Sequence, residues 1–179
     1  SMNQGLSQHD ISSIAQDRYG FIWIATYDGL LRYDGYTFKT YRFDDTNPKS
    51  ISDNRILSIY LDSAENLWIG TEGGGLNLYN YDLEEFSKFK FSENPLDNNI
   101  YSIYEDNEHN LWAGTGCGVY KLNYSPENRE LRITPIVSNF EEMTNVRAIY
   151  RNSKDEMILG TTIGLYTLNP NNTPPSHSH

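Results

Sequence analysis

The chain has one cysteine in 179 residues, Cys117. No intrachain disulfide can form, and neither a Cys-x-x-Cys pair nor a metal-spaced His/Cys cluster is present. Basic residues are also scarce: 14 Lys and Arg stand against 24 Asp and Glu, a formal net charge of −10. Without a basic segment to neutralise phosphates, nucleic-acid binding and attachment to an anionic membrane are disfavoured, and neutral or cationic partners fit better. No apolar run approaches the roughly 20 residues that span a bilayer. The lack of a secretion leader says nothing about compartment, because Ser1-Met2 fits a cloning remnant or a cut within a longer chain. No motif singles out a carboxylate pair, and no base is arrayed beside a serine or Cys117, so the pattern supports neither catalysis nor a cofactor.

What the chain does have is repetition. Phe21-Ile22-Trp23-Ile24-Ala25-Thr26, Leu67-Trp68-Ile69-Gly70-Thr71, Leu111-Trp112-Ala113-Gly114-Thr115 and Met157-Ile158-Leu159-Gly160-Thr161 recur at spacings of 45, 44 and 46 from Trp23 to Trp68 to Trp112 to Ile158. That period suits propeller blades better than helical hairpins. Each unit has the same grammar. An apolar-polar segment such as Ile56-Leu57-Ser58-Ile59 comes first, and a polar turn leads into the Trp-bearing strand. A Gly-led strand such as Gly75-Leu76-Asn77-Leu78-Tyr79 follows, and a polar aromatic run closes the unit. Four short antiparallel strands per unit make the blade of a β-propeller, so the expected fold is all-β with about four blades.

The recurrent residues have structural readings first. Gly29, Gly75, Gly118 and Gly164 stand where a tight turn needs a positive φ. Trp23, Trp68 and Trp112 are read as blade-to-blade packing, with a sugar-stacking platform as the alternative, and the replacement by Ile158 favours packing.

The expected boundaries are a lead-in over 1–9 and blades at about 10–43, 54–91, 98–137 and 145–169. A disordered Pro/Ser/His tail is expected over 170–179. Pro170, Pro174 and Pro175 lack the amide donor of a hydrogen-bonded strand, so the fourth unit is expected to lack its outer strand. The arc therefore reads as a fragment of a larger ring with open edges that invite self-association. A closed four-bladed ring is the alternative.

Gly5-Leu6-Ser7, Ile11-Ser12-Ser13-Ile14-Ala15-Gln16-Asp17, Gly20-Phe21-Ile22-Trp23-Ile24-Ala25-Thr26-Tyr27-Asp28-Gly29-Leu30 and Tyr33-Asp34-Gly35 together resemble the two-component regulator propeller repeat. The second unit, Ile51-Ser52-Asp53-Asn54-Arg55 through Trp68-Ile69-Gly70-Thr71 to Gly75-Leu76, is equally similar. The fourth departs by losing its Trp. The resemblance implies part of a seven-bladed type propeller in the periplasmic sensor region of a hybrid two-component system. It also implies a carbohydrate signal, a mono- or oligosaccharide, read by a dimeric receptor. The kinase and DNA-binding parts of such proteins have no counterpart in these residues, and the fragment itself is expected to be non-catalytic. A protein-interaction scaffold and a propeller hydrolase or lyase are the alternatives.

Alternating strand direction puts the turns before the first strand and after the second on one face. Sugar hydroxyls need amides, carboxylates and guanidinium groups near an aromatic ring. On that face Tyr27, Asp28, Arg55, Glu72 and Arg147 vary between units, and these are the candidate ligand contacts. Asn54, Asn98 and Asn145 recur at one position, which points to turn capping instead.

Overall fold

The computed structural model describes residues 10–138, 145–154, 156–169 and 172–177. The lead-in expected over 1–9 lies outside the described residues. Among the described residues sixteen strands form four separate four-stranded antiparallel sheets, each in simple chain order. Blade 1 holds β1 (Ile11–Gln16), β2 (Ile22–Thr26), β3 (Gly29–Tyr33) and β4 (Phe38–Tyr41). Blade 2 holds β5 (Ile56–Leu61), β6 (Leu67–Thr71), β7 (Leu76–Asn80) and β8 (Glu85–Phe89). Blade 3 holds β9 (Ser102–Glu105), β10 (Leu111–Gly114), β11 (Gly118–Ser125) and β12 (Glu130–Ser138), preceded by a 3-10 turn at Pro95–Asn98. Blade 4 holds β13 (Val146–Arg151), β14 (Met157–Thr161), β15 (Gly164–Asn169) and β16 (Asn172–His177). The first strands pack side by side, β1 on β5, β5 on β9 and β9 on β13, so they line the inside of an arc.

β16 corrects the expectation that blade 4 lacks its outer strand. It pairs antiparallel with β15, Thr167 opposite Ser176 and Asn169 opposite Asn172, and the register shifts between those pairs. Pro174 and Pro175 fall inside the shift, where the ladder is already interrupted. Proline is tolerated on an outermost strand and at a bulge, where the ladder does not need its amide. Blade 3 uses the same device, with Pro135 of its outer strand opposite Tyr120, beside the register shift between Val119 and Tyr120 of β11. The remaining positions of the expected tail, 170, 171, 178 and 179, lie outside the described residues.

Each of the first three blades is organised around one buried carboxylate. The indole Nε1 of Trp23 donates to Asp17 at 2.7 Å, that of Trp68 to Asp62 at 2.8 Å and that of Trp112 to Asp106 at 2.9 Å. The same carboxylates accept backbone amides of the turn joining the first and second strands, from Phe21, Asn66 and Asn110. One aspartate thus closes the hairpin and satisfies a buried indole, which would otherwise carry an unpaired donor into the core. The rings are 0%, 0% and 3% exposed and lie between blades. In blade 4 both partners change together: Asn152 closes the turn through the amides of Lys154 and Glu156, and Ile158 needs no acceptor.

Blades 2, 3 and 4 are latched in succession where the chain enters the next inner strand. The amide of Ile100 donates to the Thr71 carbonyl at 3.0 Å, and its own carbonyl accepts Ser58 Oγ at 2.9 Å. Val146 repeats this with Thr115 at 2.9 Å and Ser102 Oγ at 3.0 Å. The close approach explains the glycine at this position in blades 2 and 3; blade 1 carries Ala25 there. A Cβ on Gly70 would stand 2.6 Å from the Ile100 carbonyl oxygen, and one on Gly114 2.6 Å from that of Val146. Gly29, Gly75 and Gly164 have φ of 120°, 81° and 143°, as the turn reading requires. Gly118 departs from it, since it is not among the described residues of positive φ.

Two stability outcomes follow from these contacts. Asp62→Ala strands the Trp68 indole and two turn donors, and should lower the unfolding free energy by about 2–4 kcal/mol in urea titrations. Gly70→Ala forces the second and third blades apart and should cost about 1–3 kcal/mol by the same measurement.

Candidate functional site

Three of the five candidate contacts meet on one face of the arc. Tyr27 stands on the β2–β3 turn, Arg55 on the approach to β5, and Glu72 just after β6. The Glu72 amide donates to the Arg55 carbonyl at 2.9 Å, which fixes the two segments together. Arg55 Nε lies 2.7 Å from Glu72 Oε2, and its guanidinium carbon is 5.0 Å from the centre of the Tyr27 ring. Glu72 Oε2 is shielded from solvent yet makes no well-aligned hydrogen bond, so its attraction to Arg55 is essentially coulombic. The guanidinium is thereby held between an anion and an aromatic ring, while half of the side chain remains exposed.

Asp28, next to Tyr27, is engaged differently. Arg42 donates from Nη2 to its carboxylate at 2.6 Å and from Nε to its carbonyl at 3.1 Å. Arg42 is not among the residues that the sequence picks out, since a charge beyond an outer strand gives no signal of its own.

Arg147 is not brought to this cluster. Its guanidinium stacks 4.4 Å from the ring centre of Tyr101, on the inner side of blades 4 and 3. The register of β13 shifts between Val146 and Ala148, so Arg147 is the extra residue of a β-bulge. Ser12 and Leu57 occupy the same bulge in blades 1 and 2. A bulge re-aims one side chain. The re-aimed position is serine, leucine and arginine in turn, which makes the inside of the arc chemically uneven.

Asn54 and Asn98 are occupied by structure. Their side-chain oxygens accept the amides of Phe43 and Phe91, both at 2.8 Å, and the Asn98 carbonyl accepts the amides of Gly73 and Gly75. Asn145 accepts the Thr162 amide at 3.3 Å through its carbonyl. Cys117 is buried, and its thiol donates to Asp97 Oδ1 at 2.9 Å. Ser92 donates to the other oxygen of that carboxylate at 2.6 Å. This arrangement pins the 3-10 turn. Among the described residues no three His, Cys, Asp or Glu side chains converge as a metal site.

A separate groove of about 900 Å³ runs outside the arc between blades 2 and 3. Phe89, Tyr124 and Leu131 form its apolar wall, and Arg129, Arg132 and Glu130 its charged rim.

A scan against family models matches the two-component regulator propeller at residues 5–28, 50–73 and 94–116. Those three stretches match the two-component regulator propeller repeat. The match falls on blades 1 to 3, the three that keep the Asp–Trp pair. Among solved structures, the whole chain is similar to the extracellular domain of a protein described as a putative hybrid two component system from B. thetaiotaomicron. The identity is 26% and the TM-score 0.80, over 100% of this chain and 26% of that one. A curated histidine kinase from Formosa agariphila is 48% identical over 48 residues, 27% of this chain and 4% of the kinase. A virginiamycin B lyase from Staphylococcus aureus shares the fold alone, with 8% identity and a TM-score of 0.70 over 99% of this chain and 58% of that one. The chain thus spans about a quarter of the extracellular domain that it matches over its full length. These relatives place it with propellers of the extracellular, sensor-type domains of two-component systems.

The buried carboxylates set the acid response. Burial is the largest influence on Asp106 and Asp97 and pushes both upward. Asp106 is brought back below the ordinary value of 3.8 by hydrogen bonds from Trp112 and Asn110, and Asp97 by those from Cys117 and Ser92. Both carboxyls titrate lower when folded, so their stabilisation is complete above about pH 4 and is lost as pH falls through the folded values. Urea midpoints should stay level from neutrality to about pH 5 and then drop. Asp97→Asn should be less stable at neutrality and show a shallower acid decline.

Proposed function

We propose that this arc is the signal-reading part of a periplasmic, non-catalytic sensor, and that it detects a mono- or oligosaccharide. The carrying observation is Arg55, fixed between the Tyr27 ring and the Glu72 carboxylate with half of its side chain open to solvent. A sugar offers vicinal hydroxyls to the guanidinium fork and to the carboxylate, and an apolar ring face to an exposed tyrosine. Pre-orientation by the Arg55–Glu72 backbone bond lowers the ordering cost on binding. The extracellular domains similar to this chain support the compartment, and the net charge of −10 favours neutral ligands over anionic ones. Signal output would belong to the rest of a longer receptor.

The groove between blades 2 and 3 supports a second reading, a protein-interaction scaffold. Its aromatic and arginine lining is the chemistry that protein interfaces favour.

Calorimetry with a panel of neutral mono- and oligosaccharides tests the first reading. The expected result is saturable binding without turnover of the sugar, weakened by about tenfold or more in Arg55→Ala, the loss of one hydrogen bond to a charged group. Turnover, or affinity that Arg55→Ala and Tyr27→Ala leave unchanged, would overturn it.

A further inference from the structure

Two devices close the outside of the interface between blades 1 and 2. Tyr41, Tyr79 and Phe86 fill it with ring centres 5.6, 5.5 and 5.3 Å apart, and the two tyrosine hydroxyls bond at 2.9 Å. Glu84, in the turn before β8, then ties back to blade 1 through Arg32 at 2.8 Å and through Lys39.

The interface between blades 2 and 3 has neither device. Trp23, Trp68 and Trp112 stand opposite Arg32, Leu78 and Lys121, which aligns the third and outer strands of the three blades. On that alignment Tyr41 becomes Phe89, but Tyr79 becomes Leu122 and Phe86 becomes Ile133, so two of the three rings are gone. Arg32 and Lys39 become Leu78 and Ser87, which carry no charge. The hairpin of blade 3 also runs further, with eight residues in β11 against five in β3 and in β7. The turn residue before its outer strand is Arg129, φ 56°, where blade 2 has Glu84, φ 53°. Arg132 pairs with Asn123 where Glu85 pairs with Asn80. Both positions have changed from acid to base. The two arginines are exposed, and neither is ion-paired among the described residues. What is left is the groove of about 900 Å³. Its apolar wall is fixed from behind, because Tyr124 meets the buried Trp68 ring edge-on at 5.4 Å and Phe89 lies 6.3 Å from it.

We propose that this groove takes a short peptide segment of a partner protein in which an aromatic side chain is flanked by one or two carboxylates. The guest ring fills the volume that Tyr79 and Phe86 fill one interface earlier, as an aromatic anchor in a preformed pocket. The guest carboxylates play the part of Glu84 and are met by Arg129 and Arg132. Two arginines against Glu130 leave the rim positive on a chain of net charge −10, so the recognition is local and a long polyanion is repelled by the rest of the surface. The proposal rests on the protein-interaction reading of the groove and gives that partner its chemistry.

Fluorescence anisotropy with a labelled short peptide, one tyrosine between an aspartate and a glutamate in a glycine-serine background, tests this on the whole chain. The controls replace the two acids by their amides, or the tyrosine by alanine. Saturable binding of the acidic tyrosine peptide is expected, weakened about tenfold or more in either control and reduced by added salt. The double variant Arg129→Glu with Arg132→Glu changes only exposed side chains and should weaken binding by a similar factor. Ile133→Phe puts back a ring at the Phe86 position and should also block the peptide, with a urea midpoint no lower than that of the parent. An amide peptide that binds as well as the acidic one overturns the acidic partner and leaves the interaction reading standing. If no peptide binds, both fail. Binding that all these variants leave unchanged places the peptide elsewhere and likewise overturns the proposal.

Discussion

The joining of blades 2, 3 and 4 depends on the approach of one backbone carbonyl to one glycine. Where Ile100 and Val146 enter blades 3 and 4, the chain comes close enough that Gly70 and Gly114 can have no side chain. At that distance the incoming residue also bonds through both its amide and its carbonyl. A four-stranded sheet of this size cannot bury a core by itself. The latch lets each blade borrow the face of the next, and the buried tryptophans, leucines and isoleucines collect between sheets instead of within them.

The Asp–Trp pair serves that arrangement from the other end of the sheet. A large ring filling the gap between blades brings an indole N–H with it, and the aspartate that closes the neighbouring turn supplies the acceptor. Blade 4 shows the two requirements are one, because an isoleucine and an asparagine replace them together. Arg151 adds a further tie: its Nη1 reaches Asp106 at 2.8 Å, so the third carboxylate is neutralised from the fourth blade.

Much of this was legible in the sequence for a simple reason. A repeat must present the same residues at the same contacts, so period, strand order and the tryptophan positions could all be read off the spacing. The aspartate six residues before each Trp was equally visible, and its joint loss with the Trp in the fourth unit was the available signal that the two touch. The outer strand of blade 4 was not legible, because Pro174 and Pro175 forbid a central strand and only geometry shows them at a bulge on the outside. The site was partly legible. Tyr27, Arg55 and Glu72 share a face by strand parity alone. The pairing of Arg147 with Tyr101 depends on a bulge, and that of Asp28 with Arg42 on the cross-strand register of blade 1; neither leaves a pattern in the sequence.

The most direct test of the latch is native-state hydrogen exchange resolved by residue. The amides of Ile100 and Val146 should exchange among the slowest in the chain, near the rate set by global unfolding, because neither can open without separating two blades. Fast exchange at both positions, with protection confined to ladders inside individual sheets, would show blades that are stable on their own and would contradict a fold that depends on the contact between them.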